Sequence, residues 1–225
     1  NFTKISFTQT ITSGGSSFYA ASFTGTSINR IFADNVTFNG PVSVGDFMYL
    51  IAETSTMTFN STLSTGSNQV RLTVSDLEFN GGVDSVMGTG ELILQPYAAS
   101  STIGINGAGS FNLDGDDLAA LKDGFATIYI GRYDGTGSGS IDIGSLGPVH
   151  FKDDLIIRSW QGSTVVSFNG VFTADETLTL EAGEGVAVRI AYDWIGCIGR
   201  ASRGFWRRLK EGGVDVRSYN PPRLD

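Results

Sequence analysis

Three stretches of the chain repeat one five-residue phrase: Val36-Thr37-Phe38-Asn39-Gly40, Met57-Thr58-Phe59-Asn60-Ser61 and Leu77-Glu78-Phe79-Asn80-Gly81. The phenylalanines stand 21 and 20 residues apart, and a weaker copy follows at Val166-Ser167-Phe168-Asn169-Gly170. Each copy reads apolar, polar, Phe, Asn, small. Successive side chains of an extended chain point to opposite faces, so each copy turns two side chains inward around one outward residue and then bends. Asn tolerates the left-handed backbone and the small residue after it eases the bend, so the turn is expected at that Asn.

Other short runs with a two-residue period lie between these markers: Val42-Ser43-Val44, Tyr49-Leu50-Ile51, Val70-Arg71-Leu72-Thr73-Val74, Leu92-Ile93-Leu94, Ile128-Tyr129-Ile130, Ile141-Asp142-Ile143, Leu155-Ile156-Ile157 and Leu178-Thr179-Leu180. A period near 20 residues with two or three short strands in it is the size of one coil of a parallel β-helix. The expected fold class is therefore all-β, a parallel β-helix (solenoid) with coils of about 20 residues. In it Phe38, Phe59 and Phe79 stack as an internal ladder. Eleven or so coils at about 4.8 Å each would make a rod roughly 50 Å long. The competing architecture is a β-sandwich, which gives no reason for Phe-Asn to return at nearly constant spacing.

Two segments depart from this pattern. Residues 114–122 read as a short lateral helix, with acidic residues at its start, Leu118 and Leu121 on one face and Gly124 as a stop. Asp114, Asp116 and Asp117 lack the spacing and the distal Glu of a calcium loop, and helix capping accounts for them. From Tyr192 the character changes: Tyr192 to Ile198 still reads as strand, but Gly199 to Lys210 is basic and aromatic, with Phe205-Trp206-Arg207-Arg208-Leu209 in a helix expected over about Ser202 to Glu211. The expected division is a parallel β-helix over 1–191 and a C-terminal segment over 192–225. That segment is a cap, a docking segment or an unrelated remnant, and Phe205, Trp206, Arg207 and Arg208 are its candidate partner-binding or assembly residues.

Composition narrows the function. Apolar residues make up 40%, enough for a substantial core, whereas charged residues are only 17% and Gly numbers 30, a balance suited to short strands and tight turns. Residues 1–191 hold 8 Lys/Arg against 19 Asp/Glu, a net −11, and residues 192–225 hold 7 against 4, a net +3. An acidic body argues against nucleic acid or an anionic membrane as partner. No run is long enough to span a membrane. Cys197 is the single cysteine, so no disulfide forms within the chain. The chain opens at Asn1 with neither Met nor signal peptide, and it is expected to be a portion of something longer.

Chemical motifs are sparse. His150 stands alone and outward on a strand, and no nucleophile elbow, P-loop or zinc spacing occurs. No catalytic residue, cofactor or metal is assigned. GRYDGTGSGSIDIG, residues 131–144, joins two strands without a following helix, so it reads as a turn and not as a phosphate cradle. A polysaccharide-degrading enzyme would need two or three carboxylates on one lateral face, drawn from Asp134, Asp142, Asp153 and Asp154. Ice binding would need outward Thr ladders; Thr37 and Thr58 match, but Glu78 takes the third place.

Leu92-Ile93-Leu94-Gln95-Pro96, Thr102-Ile103-Gly104-Ile105, Phe111-Asn112-Leu113, Asp117-Leu118, Asp123-Gly124-Phe125, Ile128 to Arg132 and Asp134-Gly135 together resemble a module of large bacterial β-strand-repeat exoproteins. These are similar to filamentous-haemagglutinin-type adhesins. The resemblance covers about residues 30–190 and is strongest at 91–146. It implies a right-handed β-helix, secretion to the cell surface and a part in adhesion or extracellular matrix. Asn-Pro-Asn-Gly secretion motifs are missing and the basic tail departs from the pattern, so an internal or C-terminal portion is implied. The expected function is a structural and interaction module, an adhesin rod or a self-assembling extracellular filament. Its expected partners are copies of itself end to end, with Asn1 to Thr12 as the open first coil, or host and matrix glycans or proteins.

Overall fold

The computed structural model describes the backbone of residues 5–7, 11–12, 17–20, 23–25, 29–33, 35–45, 48–160, 165–183, 187–193 and 203–219. The strands stack as a parallel β-solenoid with about 22 residues per turn, and parallel sheets form its walls. In the longest ladder Ile11, Ile31, Leu50, Leu72, Leu94, Ile130, Ile157 and Leu180 stand in register. Leu50, Leu72, Leu94, Ile130 and Ile157 are at most 1% exposed, and burying each contributes about 1.5–3 kcal/mol. The ladder holds eight strands, fewer than the eleven expected, so its seven spacings span about 34 Å at roughly 4.8 Å each. The shortfall arises partly because 36 residues separate Leu94 from Ile130 and 27 separate Ile130 from Ile157, which takes up about one coil, and partly because the ladder's last strand is Leu178–Ala182.

The phenylalanine ladder forms as the repeat requires. Phe38 pairs with Phe59 and Phe59 with Phe79 in parallel register, with ring centroids 5.0 and 5.5 Å apart. Phe168 continues this type of position higher in the stack, between Ile143 and Ile190. The asparagines do something the sequence reading missed. Among the described residues only Asp84 and Asn106 combine a side chain with a positive φ, so Asn39, Asn60 and Asn80 do not supply left-handed turns. Asn60 Nδ2 donates instead to Asn39 Oδ1 at 2.9 Å, and Asn80 Nδ2 to Asn60 Oδ1 at 3.2 Å. Coil stacking places identical amides one layer apart, where each donates to the one before.

Helix α1, Gly115–Ala120, is capped by Asp114, whose side chain accepts from the N–H groups of Asp116 and Asp117 in a capping box. The helix forms part of the coil wall. Ala120 is fully buried, and Leu121 bridges to Val86, extending the column Ile5, Phe23, Val42, Leu63, Val86.

The second irregularity lies just before it. Ile103–Ile105 and Phe111–Leu113 are parallel neighbours in register, joined by only residues 106–110, whereas parallel neighbours ordinarily need a connection of about a dozen residues. The chain does this by folding back across the outer face of its own strand. A Cβ on Gly104 would lie 2.3 Å from the Gly107 carbonyl oxygen, and one on Gly109 would lie 2.1 Å from the Gly104 nitrogen. Asn106 takes the left-handed backbone at φ 44°. Phe111–Leu113 thereby sits one layer back, on the side of Val70–Phe79, where the Asn112 N–H reaches Asp76 Oδ1 at 3.4 Å.

At the C-terminal end, α2 covers Arg203–Glu211, close to the expected span. Strand Asp215–Tyr219 then pairs in parallel with Ala187–Asp193 as the last rung of a six-stranded sheet, with Val216 buried. Residues 220–225, and the Trp194 to Ile198 stretch read as strand, lie outside the described residues, as does Cys197. Of the first coil, Ile5–Phe7 and Ile11–Thr12 are strands and form the first rungs of two sheets.

Candidate functional site

The tail residues singled out for partner binding lie on α2, at the end of the stack. Arg207 and Arg208 are exposed and Trp206 is half-buried; the Phe205 side chain lies outside the described residues. Arg207 Nε stands 3.8 Å from Glu211 across one helical turn, a spacing worth little at the surface. His150 is outward as expected, with Nδ1 2.9 Å from Thr173 Oγ1 and Nε2 3.3 Å from Asp175. The outward column Thr37, Thr58, Glu78 runs in register, so threonines occupy two neighbouring layers of it.

The four carboxylates weighed for polysaccharide chemistry have separate partners. Asp134 is paired with the Arg132 guanidinium, whose hydrogen bond holds its pKa down to about 2 with help from Thr136. Asp153, 5% exposed, accepts from the Gly124 N–H at 2.8 Å. Burial pushes its pKa up, and neighbouring Asp123 adds to the rise. Asp154 accepts from the Thr177 N–H at 2.9 Å. The Asp153 and Asp154 contacts tie one coil to the next, whereas those of Asp134 stay within its own loop.

Asp142 is different, because it lies in a groove. On the outer face of the six-stranded sheet a cavity of about 460 Å³ is lined by Thr102, Ala108, Gly109, Ser140, Asp142 and Ser167, with Ile141 and Asn169 completing it. The groove exists because residues 106–110 fold back over the sheet and raise one wall. A Cβ on Gly107 would lie 2.5 Å from the Asp142 carbonyl oxygen, so the loop could not settle so low with a side chain there. Asp142 Oδ2 accepts from the Ala108 N–H at 2.9 Å and from the Ser145 hydroxyl, and Oδ1 accepts from Asn169 Nδ2 at 2.7 Å. Burial works to raise the Asp142 pKa; the bonds from Ser145, Ala108 and Asn169 outweigh it and hold the pKa below the ordinary value. At neutral pH the groove therefore holds one ionised, oriented carboxylate among hydroxyls and an amide. Asp134, Asp153 and Asp154 do not line it.

A second cluster, unforeseen from sequence, covers the long sheet. The segment 131–140 is more than a turn: it places Tyr133 over the sheet's outer face, where the Tyr133 N–H donates to Gln95 Oε1 at 2.9 Å. The guanidinium carbons of Arg71 and Arg158 each lie 4.4 Å from the Tyr133 ring centre, and they also approach Tyr49 at 5.2 Å and Tyr129 at 4.6 Å. Arg158 Nε is held by Glu181 at 2.5 Å. This cover buries the outward residues Ile93, Gln95 and Thr73 to 3% exposure or less. The signal was present in the outward column Tyr49, Arg71, Ile93, Tyr129, which is too bulky and apolar for a wall facing water.

Fold and groove together define a parallel β-solenoid with a carboxylate-bearing groove on one lateral face. Comparison with protein families, with curated proteins and with solved structures gives no match.

Proposed function

We propose that this chain is a structural and interaction module of a secreted bacterial surface protein, an adhesin rod or a subunit of an extracellular filament. The observation that carries this reading is the stack itself. Successive coils repeat the same inward ladders, and Asp134, Asp153, Asp154 and the capping Asp114 hold backbone or arginine partners of the scaffold. Such a stack keeps surface features at fixed intervals, which is what spacing and display require. Assembly end to end would use parallel strand addition at the last rung, Asp215–Tyr219, against the first coil of another copy.

Immunogold electron microscopy of the source cells, with antibody against this chain, tests the reading. Label along surface fibres or the outer envelope is expected, and label confined to free soluble material overturns it. A second reading, a polysaccharide-cleaving enzyme, is favoured by Asp142 in its groove. Glycosidases use two carboxylates about 5–9.5 Å apart, and Asp142 is the one carboxylate among the described groove residues. Release of reducing ends from a polysaccharide panel, abolished by Asp142→Asn, would establish this second reading.

A further inference from the structure

We propose that the Asp142 groove is a binding site for a neutral sugar, a pyranose unit of an uncharged glycan. The inference rests on the display reading and names what the rod would present its surface to. A volume of about 460 Å³ falls within the roughly 300–1,000 Å³ of small-molecule sites. Its chemistry selects the occupant. Ser140 and Ser167 line it with hydroxyls that both donate and accept, Thr102 Oγ1 is already bonded to Ser110, and Asp142 is an acceptor fixed in place before any ligand arrives. An ionised carboxylate has about four lone-pair sites, and the three bonds from Ala108, Ser145 and Asn169 leave one for a ligand hydroxyl.

Charge excludes the neighbouring ligand classes. An anionic ligand would meet the Asp142 charge with no cationic group among the described lining residues, on a body of net charge −11 from 8 Lys/Arg and 19 Asp/Glu over residues 1–191. A bare cation would find one carboxylate, and among the described residues no group of three metal-ligating side chains converges. A molecule rich in hydroxyls and free of charge fits what remains. The Ala108 methyl and the Gly109 backbone supply a small apolar wall for the C–H face of a sugar ring. The pre-set carboxylate lowers the ordering cost of binding.

The test is binding of the purified full chain to an array of neutral, uronate-containing and sulfated oligosaccharides, with positives repeated by saturation-transfer NMR. At least one neutral oligosaccharide should bind, and binding should persist at high salt. Asp142→Asn should weaken it at least tenfold. Ser167→Phe, which fills the groove from a residue that makes none of the three Asp142 hydrogen bonds, should abolish it while circular dichroism stays unchanged. Binding to no neutral sugar, binding only to anionic sugars, or binding indifferent to Ser167→Phe would each overturn the groove assignment. The display reading is judged separately by where the immunogold label falls, so the two can fail independently.

Discussion

Replacing Asp117 with Asn should tilt the pH dependence of stability while the fold is kept. Asp117 is 4% exposed, and its carboxyl accepts from the Phe79 N–H at 2.8 Å and the Asp114 N–H at 3.1 Å. Burial pushes its pKa up from 3.8 to about 7; the two N–H groups oppose the rise, and Asp114 and Glu78 add to it. Between about pH 4 and pH 7 the unfolded chain has lost a proton that the folded chain keeps. The unfolded state then binds fewer protons, so the Asp117 contribution is full below about pH 4 and is lost as pH rises through about 7. At about 1.4 kcal/mol per pH unit, this loss reaches about 4 kcal/mol at most. Asn is uncharged and keeps a carbonyl for Phe79, but it presents an NH2 group to the Asp114 N–H, at a cost of about 1 kcal/mol. The wild type should therefore be the more stable by about 1 kcal/mol below about pH 4, the two should be about equal near pH 4.5, and the variant should be the more stable by up to about 3 kcal/mol near pH 8. Urea midpoints followed by circular dichroism across this range, at fixed salt, read the crossover. Asp134 and Asp142 do not blur it, because their pKa values are lowered and their contributions disappear only as pH falls below about 4. Parallel stability curves for wild type and variant between about pH 4.5 and pH 8 would refute the burial assigned to Asp117.

Phe59→Ala removes the middle ring of the ladder and should cost about 3–5 kcal/mol, seen as a lower urea midpoint, with Phe59→Leu costing clearly less. Gly104→Ala drives a methyl into the returning loop and should destabilise by about 1–3 kcal/mol; a neutral result would mean that residues 106–110 do not cross their own strand. Arg71→Ala should lose about 1–2 kcal/mol of cation–π contact and increase the accessibility of Tyr133, measurable by tyrosine fluorescence quenching. Asp134→Asn should flatten the acid limb of the stability curve: the lowered pKa makes the Asp134–Arg132 contact a contribution present above about pH 4 and lost toward about pH 2.

Much of the fold was legible because the repeat is a one-dimensional property. A residue facing inward every 20 or so positions marks a stacked coil, and Phe38, Phe59 and Phe79 marked it directly. The period-two runs showed which neighbours share the core, and the acidic start showed α1, although the helix ends at Ala120, where Leu121 turns extended to bridge Val86, and not at Gly124. The asparagines were assigned the wrong task. Their type suits both a left-handed turn and an amide ladder, and only the backbone conformation and the layer-to-layer hydrogen bonds between the amides decide between the two.

The groove and the tyrosine–arginine cover could not be read in this way. Both depend on loops returning over the outside of a wall. Asp142 and Ala108 are 34 residues apart, and Arg71 and Tyr133 come from different turns. Sequence alone determined the coil, the inward ladders and the acidic surface, because periodicity and charge are local or additive along a chain. Tertiary structure alone decided that Gly104, Gly107 and Gly109 let a loop lie flat on a sheet, that Asp142 rests ionised beneath it, and that Asp134, Asp153 and Asp154 are engaged elsewhere. Each of these is set by close approach between distant segments, and contact geometry at that range is not encoded by spacing.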